Sequence, residues 1–587
     1  MPSSYCGQWL IKSPERQNID VFFLLAARFA LPCGLILNVN GRMDEKPPQS
    51  KNNILLPFFF AVVMLAGMLV GLKMKESTNA FERIQGDDLE THTNMEAPVL
   101  QVIRYIDSKY VDSIDQSAFA EKAINNIMRG LDPHSVYLSP KMYVHSKEQL
   151  SGSFVGIGID FLMIDDTVTI GGVIADGPAE QAGLHSGDKI LKVRDLVIAG
   201  TKLPADSVVT LLKGERGTPL NLTCLNGRTH VPYDTEIIRG DIDLPSVPVG
   251  FMIDDHTGYV KITGFTATTS REFAQTVMKL ISDKGMENLI LDLRDNPGGY
   301  LNEAVEVLNH IFLDKNKLLV YTSGEKVGKE DYHSNGSSRL NIKKIAVLIN
   351  EESASAAEIT AGALQDWDRA VIIGRRSFGK GLVQEELTLA NGGAVRMTVA
   401  RYYTPSGRCI QKDYSDREEY DHDIENRFDN GELYNVSKSK VADTTKYYTA
   451  NGRLVHGGGG ITPEIFIPLD SNLVGHNWLV LNSLIYPFVL SHPIQKVGDS
   501  ESDFLNHYQV PDKMVDDFMA YALKKNDWLS FAQITKYDAN IRRALKSYIG
   551  KLQFGEGMYY EVLAKDHDPF VEAALKQLKK SDVLKVD

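Results

Sequence analysis

Ser355, Lys380 and Gln384 are the residues in this 587-residue chain whose types and spacing suggest covalent chemistry. A serine hydroxyl is a poor nucleophile until a neighbouring base takes its proton, and a lysine amine can be that base when burial keeps it neutral. Ser355 lies in a small-residue segment, Ser353-Ala-Ser-Ala-Ala-Glu358, that opens an apolar-periodic helix. Backbone N–H groups at a helix start could therefore face a developing oxyanion. Lys380 lies on a Gly-rich turn 25 residues later, and the Gln384 side-chain carbonyl could steady its amine. Two other readings fit the same letters. Ser355-x-x-Glu358 is also a capping box. Gly374 to Gly381 nearly matches a phosphate-binding loop, with Gly381 where a magnesium-ligating Ser or Thr would stand. Spacing alone leaves the three open.

The elements around these residues read as strand, helix, strand. Ile345–Ile349 and Val371–Ile373 are short apolar runs of buried-strand length, and Ile359, Ala363, Leu364 and Trp367 give the helix between them its apolar face. Upstream, Thr257–Phe265 reads as a strand and Ser270–Ile281 as a helix. Asn288–Arg294 then reads as a buried strand running into Asp295-Asn-Pro-Gly-Gly299. Downstream, Ala394–Tyr403 alternates as a strand.

The segments SASAAE, GALQDWDRA and FGKGLVQ, in that order, resemble the carboxy-terminal processing (tail-specific) peptidases, the S41 serine proteases. The resemblance implies an acyl-enzyme endopeptidase with Ser355 as nucleophile, Lys380 as general base and Gln384 orienting the lysine. DLRDNPGG is similar to the family's oxyanion element, which implies that Gly298 or Gly299 pairs with the Ala356 N–H. Leu131-Asp-Pro-His-Ser135 is similar to the turn that precedes the PDZ domain in these proteases, and its His134 reads as structural. Residues 151–235, with GPAEQAGLHSGDKI, look like that PDZ domain. PDZ domains capture chain ends by strand addition. By this analogy Gly156, Ile157, Gly158 and Ile159 line the carboxylate loop and the helix 205–212 forms the other wall. No cofactor and no metal are implied.

Composition narrows the remaining classes. A net charge of −13 argues against a nucleic-acid partner, and the four cysteines have no metal-ligand spacing. Ile54–Leu72 is an uncharged run of 19 residues, long enough to span a bilayer. No small-residue cleavage site follows it, so an uncleaved anchor is expected, with Met43 a candidate start. The expected fold is α/β and multidomain, a mixed-sheet S41 core with an inserted β-rich PDZ domain. The expected order is a leader (1–53), the anchor (54–72), a helical segment (73–150), the PDZ domain (151–235) and the catalytic core (236–412). An acidic insertion with return to the core (413–475), a surface insertion or mobile loop in its first part, and a helical tail (476–587) complete it. Pro98 is expected in the first turn of a helix. The partners expected are protein or peptide substrates with free C-termini, and the membrane through one helix; a homo-oligomer or an adaptor is left open. The catalytic part is expected outside the cytoplasm, in a bacterial periplasm or envelope. The rival readings are an inactive PDZ scaffold that binds protein tails and a nucleotide hydrolase.

Overall fold

The structure is a computed structural model that describes residues 93–438, 445–492, 497–498, 500–582 and 584. The proposed anchor at 54–72 and the alternative start at Met43 lie outside the described residues. Within them, no helix is long and apolar enough to cross a membrane. The helix Thr93–Lys109 belongs to a separate unit and stands by itself here. Pro98 sits inside it rather than in its first turn, which corrects the expected helix start.

The catalytic core is built on a six-stranded sheet in the order Val249–Met252, Thr257–Lys261, Asn288–Asp292, Lys344–Ile349, Val371–Gly374 and Ile465–Phe466. Its first pair is antiparallel and the others are parallel. Parallel strands with both faces covered read as continuous apolar runs, which is why Ile345–Ile349 lacks alternation. One face carries the helices Thr269–Lys284, Leu301–Ile311 and Ala356–Asp366, packed through Phe273, Leu308, Ile359 and Leu364. The other face is closed by the helix Pro569–Leu578, whose Phe570, Val571 and Ala574 meet Ile290, Leu348 and Ile373.

A second sheet brings Val136–Leu138, Ala394–Tyr403, Lys315–Gly324 and Gly328–Asn335 together, with Leu382–Thr388 antiparallel to Ala394–Tyr403. The strand that holds Gln384 and the strand that follows the Leu131–Ser135 turn therefore flank Ala394–Tyr403 on its two sides. A third sheet, Ile159–Ile164 through Pro232–Ile238, wraps the helix Ala205–Leu212 into its own core of Val168, Ile190, Val208 and Leu220. It joins the rest of the chain through a short antiparallel pair, Ser153–Gly156 with Gly240–Asp243.

The tail forms a helical bundle from His476–Ser491 to Glu556–Lys565 around Leu481, Phe488, Phe518 and Leu545. Of the two alternatives for the acidic stretch after Asp413, the structure has an ordered insertion and no mobile loop over 417–429. The stretch forms the helices Arg417–Asp421 and Asp423–Asp429, with Tyr420 and Arg427 buried. One buried aromatic ring and one buried guanidinium are enough to fix a segment whose other side chains are solvated.

Candidate active site

Ser355 sits where the strand Lys344–Ile349 turns into the helix Ala356–Asp366, at φ 60° and ψ −115°. That backbone region is sparsely populated for a residue with a side chain and costs about 1–3 kcal/mol, so the surroundings must enforce it. They do so through a dense frame. Ser353 Oγ donates to the Leu293 carbonyl (2.8 Å) and the Ala354 N–H donates to the Asn296 carbonyl (2.9 Å). Asn350 and Asp295 exchange two hydrogen bonds. The helix that follows is buried at every position, which small residues such as Ala356, Ala357, Ala361 and Gly362 permit.

Only half of a capping box forms. The Ser355 N–H donates to Glu358 Oε2 (2.8 Å), whereas Ser355 Oγ has no hydrogen-bond partner among the described residues. The hydroxyl is thus not spent on capping. Glu358 is occupied elsewhere as well, accepting from Ser377 Oγ (2.6 Å), the Gly379 N–H (2.7 Å) and the Lys380 N–H (2.8 Å). One carboxylate therefore ties the serine turn to the lysine turn. Burial pushes Glu358 up to about 7, while its hydrogen bonds from Ser377, Lys380, Ser355 and Gly379 pull the other way. Tyr402 adds a second strut, its hydroxyl donating to the Lys380 carbonyl (2.8 Å) and the Ser355 carbonyl (3.1 Å). The same bonds contradict the phosphate-loop reading of Gly374–Gly381. The backbone donors such a loop would offer a phosphate already serve Glu358 (Gly379, Lys380), Gln411 (Gly381) and the carbonyls of Ile349, Ile461 and Ser353.

Lys380 is 2% exposed, and its Nζ donates to Gln384 Oε1 (3.2 Å). Burial, then the nearby Arg396 charge, hold the ammonium well below the ordinary lysine range, against the pull of Asp132 and Glu358. Gln384 is turned by a backbone contact, its Nε2 donating to the His134 carbonyl (2.6 Å). The Leu131–Ser135 turn is in turn shaped by Asp132, which accepts from the His134 N–H, the Ser135 N–H and Thr398 Oγ1. His134 thus acts through its main chain. Its ring meets the Tyr420 hydroxyl (2.5 Å), and burial together with Lys380, Lys412 and Arg417 keeps it neutral.

Of the two glycines expected to supply an oxyanion donor, Gly298 has its N–H committed to Asn296 Oδ1 (2.8 Å). Of the two alternatives, the Gly298 N–H is thus engaged within this structure. Gly298 is required for another reason. At its φ of 100°, a Cβ would lie 2.6 Å from Ser355 Cβ and 2.9 Å from the Ala356 nitrogen.

Gly156, Ile157, Gly158 and Ile159 all line one groove of about 240 Å³, with Val209 and Leu212 of the helix Ala205–Leu212 opposite. The sequence reading missed a third wall, His145, Glu148 and Gln149 from the helix Pro140–Ser151, which precedes the small β-domain.

Residues 256–424 match Peptidase family S41, and residues 155–237 match the PDZ domain family. A carboxy-terminal-processing protease of Bartonella bacilliformis is 35% identical over 359 residues, which cover 60% of this chain and 79% of that protein. The chain belongs to peptidase family S41. A "Probable CtpA-like serine protease" of Staphylococcus haemolyticus is 31% identical over 358 residues, 60% of this chain and 70% of its own. The solved PDZ domain of the Vibrio cholerae carboxy-terminal protease, in complex with peptide, is 33% identical and covers 16% of this chain and 99% of that one, with a TM-score of 0.15. This S41 chain is therefore a serine protease of the carboxy-terminal-processing type with a PDZ domain. The resemblance read from SASAAE, FGKGLVQ and GPAEQAGLHSGDKI, and the α/β multidomain fold it implied, hold.

Two functional residues lay beyond the sequence reading. Glu358 was legible as a cap but not as a bridge, because its other partners are 19 to 22 residues away. Tyr402 was one more aromatic in an alternating strand; its hydroxyl reaching a carbonyl 47 residues earlier left no local signal.

Proposed function

We propose that this chain is a membrane-anchored endopeptidase that binds protein chain ends in its PDZ groove and cleaves with a Ser355–Lys380 dyad. The observation that carries the dyad is the buried Lys380, pushed toward neutrality and held with Ser355 on one frame by Glu358 and Tyr402.

The chemistry follows from the groups present. Neutral Lys380 takes the Ser355 Oγ proton as the oxygen attacks the peptide carbonyl. The Gly299 and Ala356 N–H groups face the negative charge that develops on the carbonyl oxygen. Lys380 returns the proton to the leaving amine, and water then releases the acyl group by the same route reversed. Gln384 turns the amine from one task to the next, its own position fixed by the His134 carbonyl. An extended chain is needed to lie beside Ser355, so unstructured tails are the substrates. Ile54–Leu72 would hold the catalytic part at a membrane, on its extracytoplasmic side.

A serine-directed phosphonate tests the dyad. Mass analysis of the labelled full-length chain is expected to place the adduct on Ser355, and Lys380→Ala is expected to abolish labelling. An adduct at another serine, or undiminished labelling of Lys380→Ala, overturns it. Alkaline extraction of membranes tests the anchor: the chain is expected to stay with the lipid and to be released when residues 54–72 are deleted. Release of the undeleted chain counts against the anchor.

A further inference from the structure

The PDZ groove is apolar along Ile157, Ile159, Val209 and Leu212, yet its lining also holds one ion pair. Lys213 follows the groove helix directly, and its ammonium contacts Glu148 Oε2 on the helix Pro140–Ser151, both residues lining the groove. His145 Nδ1 lies 3.9 Å from the same carboxylate oxygen. Below the ammonium is the Phe154 ring, 5.0 Å from Nζ, which belongs to the strand leading into the glycine loop. A carboxylate thus already lines an apolar groove, flanked by a lysine and a histidine, and it comes from outside the PDZ domain.

The pair is also built to part. Lys213 and Glu148 are 29% and 26% exposed. An ion pair that open to water is weak, about 0–1 kcal/mol net, so an incoming carboxylate can replace it at little cost. The contact is single-point, through a flexible lysine stem that can follow a new partner.

From this geometry we infer that Glu148 is an internal stand-in for the terminal carboxylate of a bound chain, and that Lys213 is the side chain that reads that carboxylate. The proposal rests on the PDZ groove holding chain ends, as set out above, and adds the residue that distinguishes an end from an internal segment. When a chain end enters, its apolar last side chain fills the space between Ile157 and Leu212. Its carboxylate takes Lys213 from Glu148. An internal loop or an amidated end brings no charge to compete, so Glu148 keeps Lys213 and such a segment gains nothing from the lysine. The ligand class is therefore a free chain end with an apolar final residue.

The test measures binding by the full-length chain carrying Ser355→Ala, so its outcome does not depend on the dyad. A fluorescein-labelled decapeptide ending in Val-Ala-Leu is titrated as free acid and as amide, with anisotropy as the readout. Lys213→Gln is expected to weaken the free acid about tenfold, what one charge-assisted hydrogen bond is worth, and to move the amide less than about twofold. Glu148→Gln is expected to tighten the free acid several-fold, and Lys213→Arg to retain most of the affinity. Equal weakening of both peptides by Lys213→Gln would make the lysine a packing residue and overturn the inference. So would a free-acid affinity that Glu148→Gln leaves unchanged, or one that Lys213→Arg fails to preserve.

Discussion

Ser355 and Gln384 are fully buried and Lys380 is 2% exposed, whereas Lys213 and Glu148 in the groove lining keep about a quarter of their side-chain surface in water. The two sites bring charged side chains to bear in opposite ways. In the protease site, burial shifts the charge itself, because an ammonium without solvent favours its neutral form. In the groove, solvent keeps the contact weak, so a ligand can exchange with one of the partners. A buried, over-connected frame suits a reaction that needs fixed geometry. A wet, under-connected pair suits recognition that must be reversible.

Substitutions at the buried site should therefore be severe and those at the groove mild. The largest effect is expected at the dyad: Ser355→Ala and Lys380→Ala should each lower kcat by about 10⁴-fold or more with the melting temperature little changed. Lys380→Arg should not restore it, since a guanidinium stays charged. Gly298→Ala should come close behind, because its methyl group would collide with the Ser355 side chain; kcat is the readout. Glu358→Ala unties the serine turn from the lysine turn. A loss of about 10²-fold in kcat is expected, with a lower melting temperature because four donors lose their acceptor.

pH sharpens the comparison further. Lys380 must be neutral to act as base, so kcat/KM should rise with pH on an acid limb whose midpoint lies well below the ordinary lysine value. Arg396 is one cause of that depression, its positive charge opposing protonation of Lys380. Removing the charge favours the ammonium, so Arg396→Gln should move the midpoint to higher pH while Arg396→Lys leaves it nearly in place. The smallest effect is expected at Tyr420→Phe, which removes one hydrogen bond to the His134 ring but not the His134 carbonyl that turns Gln384. A few-fold change in kcat or less should be measured.

What the sequence disclosed followed the same division. The strand, helix, strand order that carries Ser355 and Lys380, the Asn288–Gly299 element and the PDZ segments were legible, since local apolar patterns and glycine turns define them. Gln384 was legible as a partner of Lys380 because the two are four residues apart. The His134 carbonyl that orients it was not, because a backbone group 250 positions away carries no side-chain signature. The stretch after Asp413 stays open in the sequence between a surface insertion and a mobile loop, because its acidic composition hides the single ring of Tyr420 and the guanidinium of Arg427 that pack it down. The third wall of the groove stayed hidden for a topological reason: the helix Pro140–Ser151 precedes the PDZ domain, so no motif of that domain includes it.

The most direct measurement uses the full-length chain beside its Ser355→Ala version. Each is incubated with a folded protein carrying an unstructured, apolar-ended tail, and the products are read by mass. Truncation of the tail by the first chain alone is the expected result. Equal truncation by both would contradict Ser355 as the nucleophile.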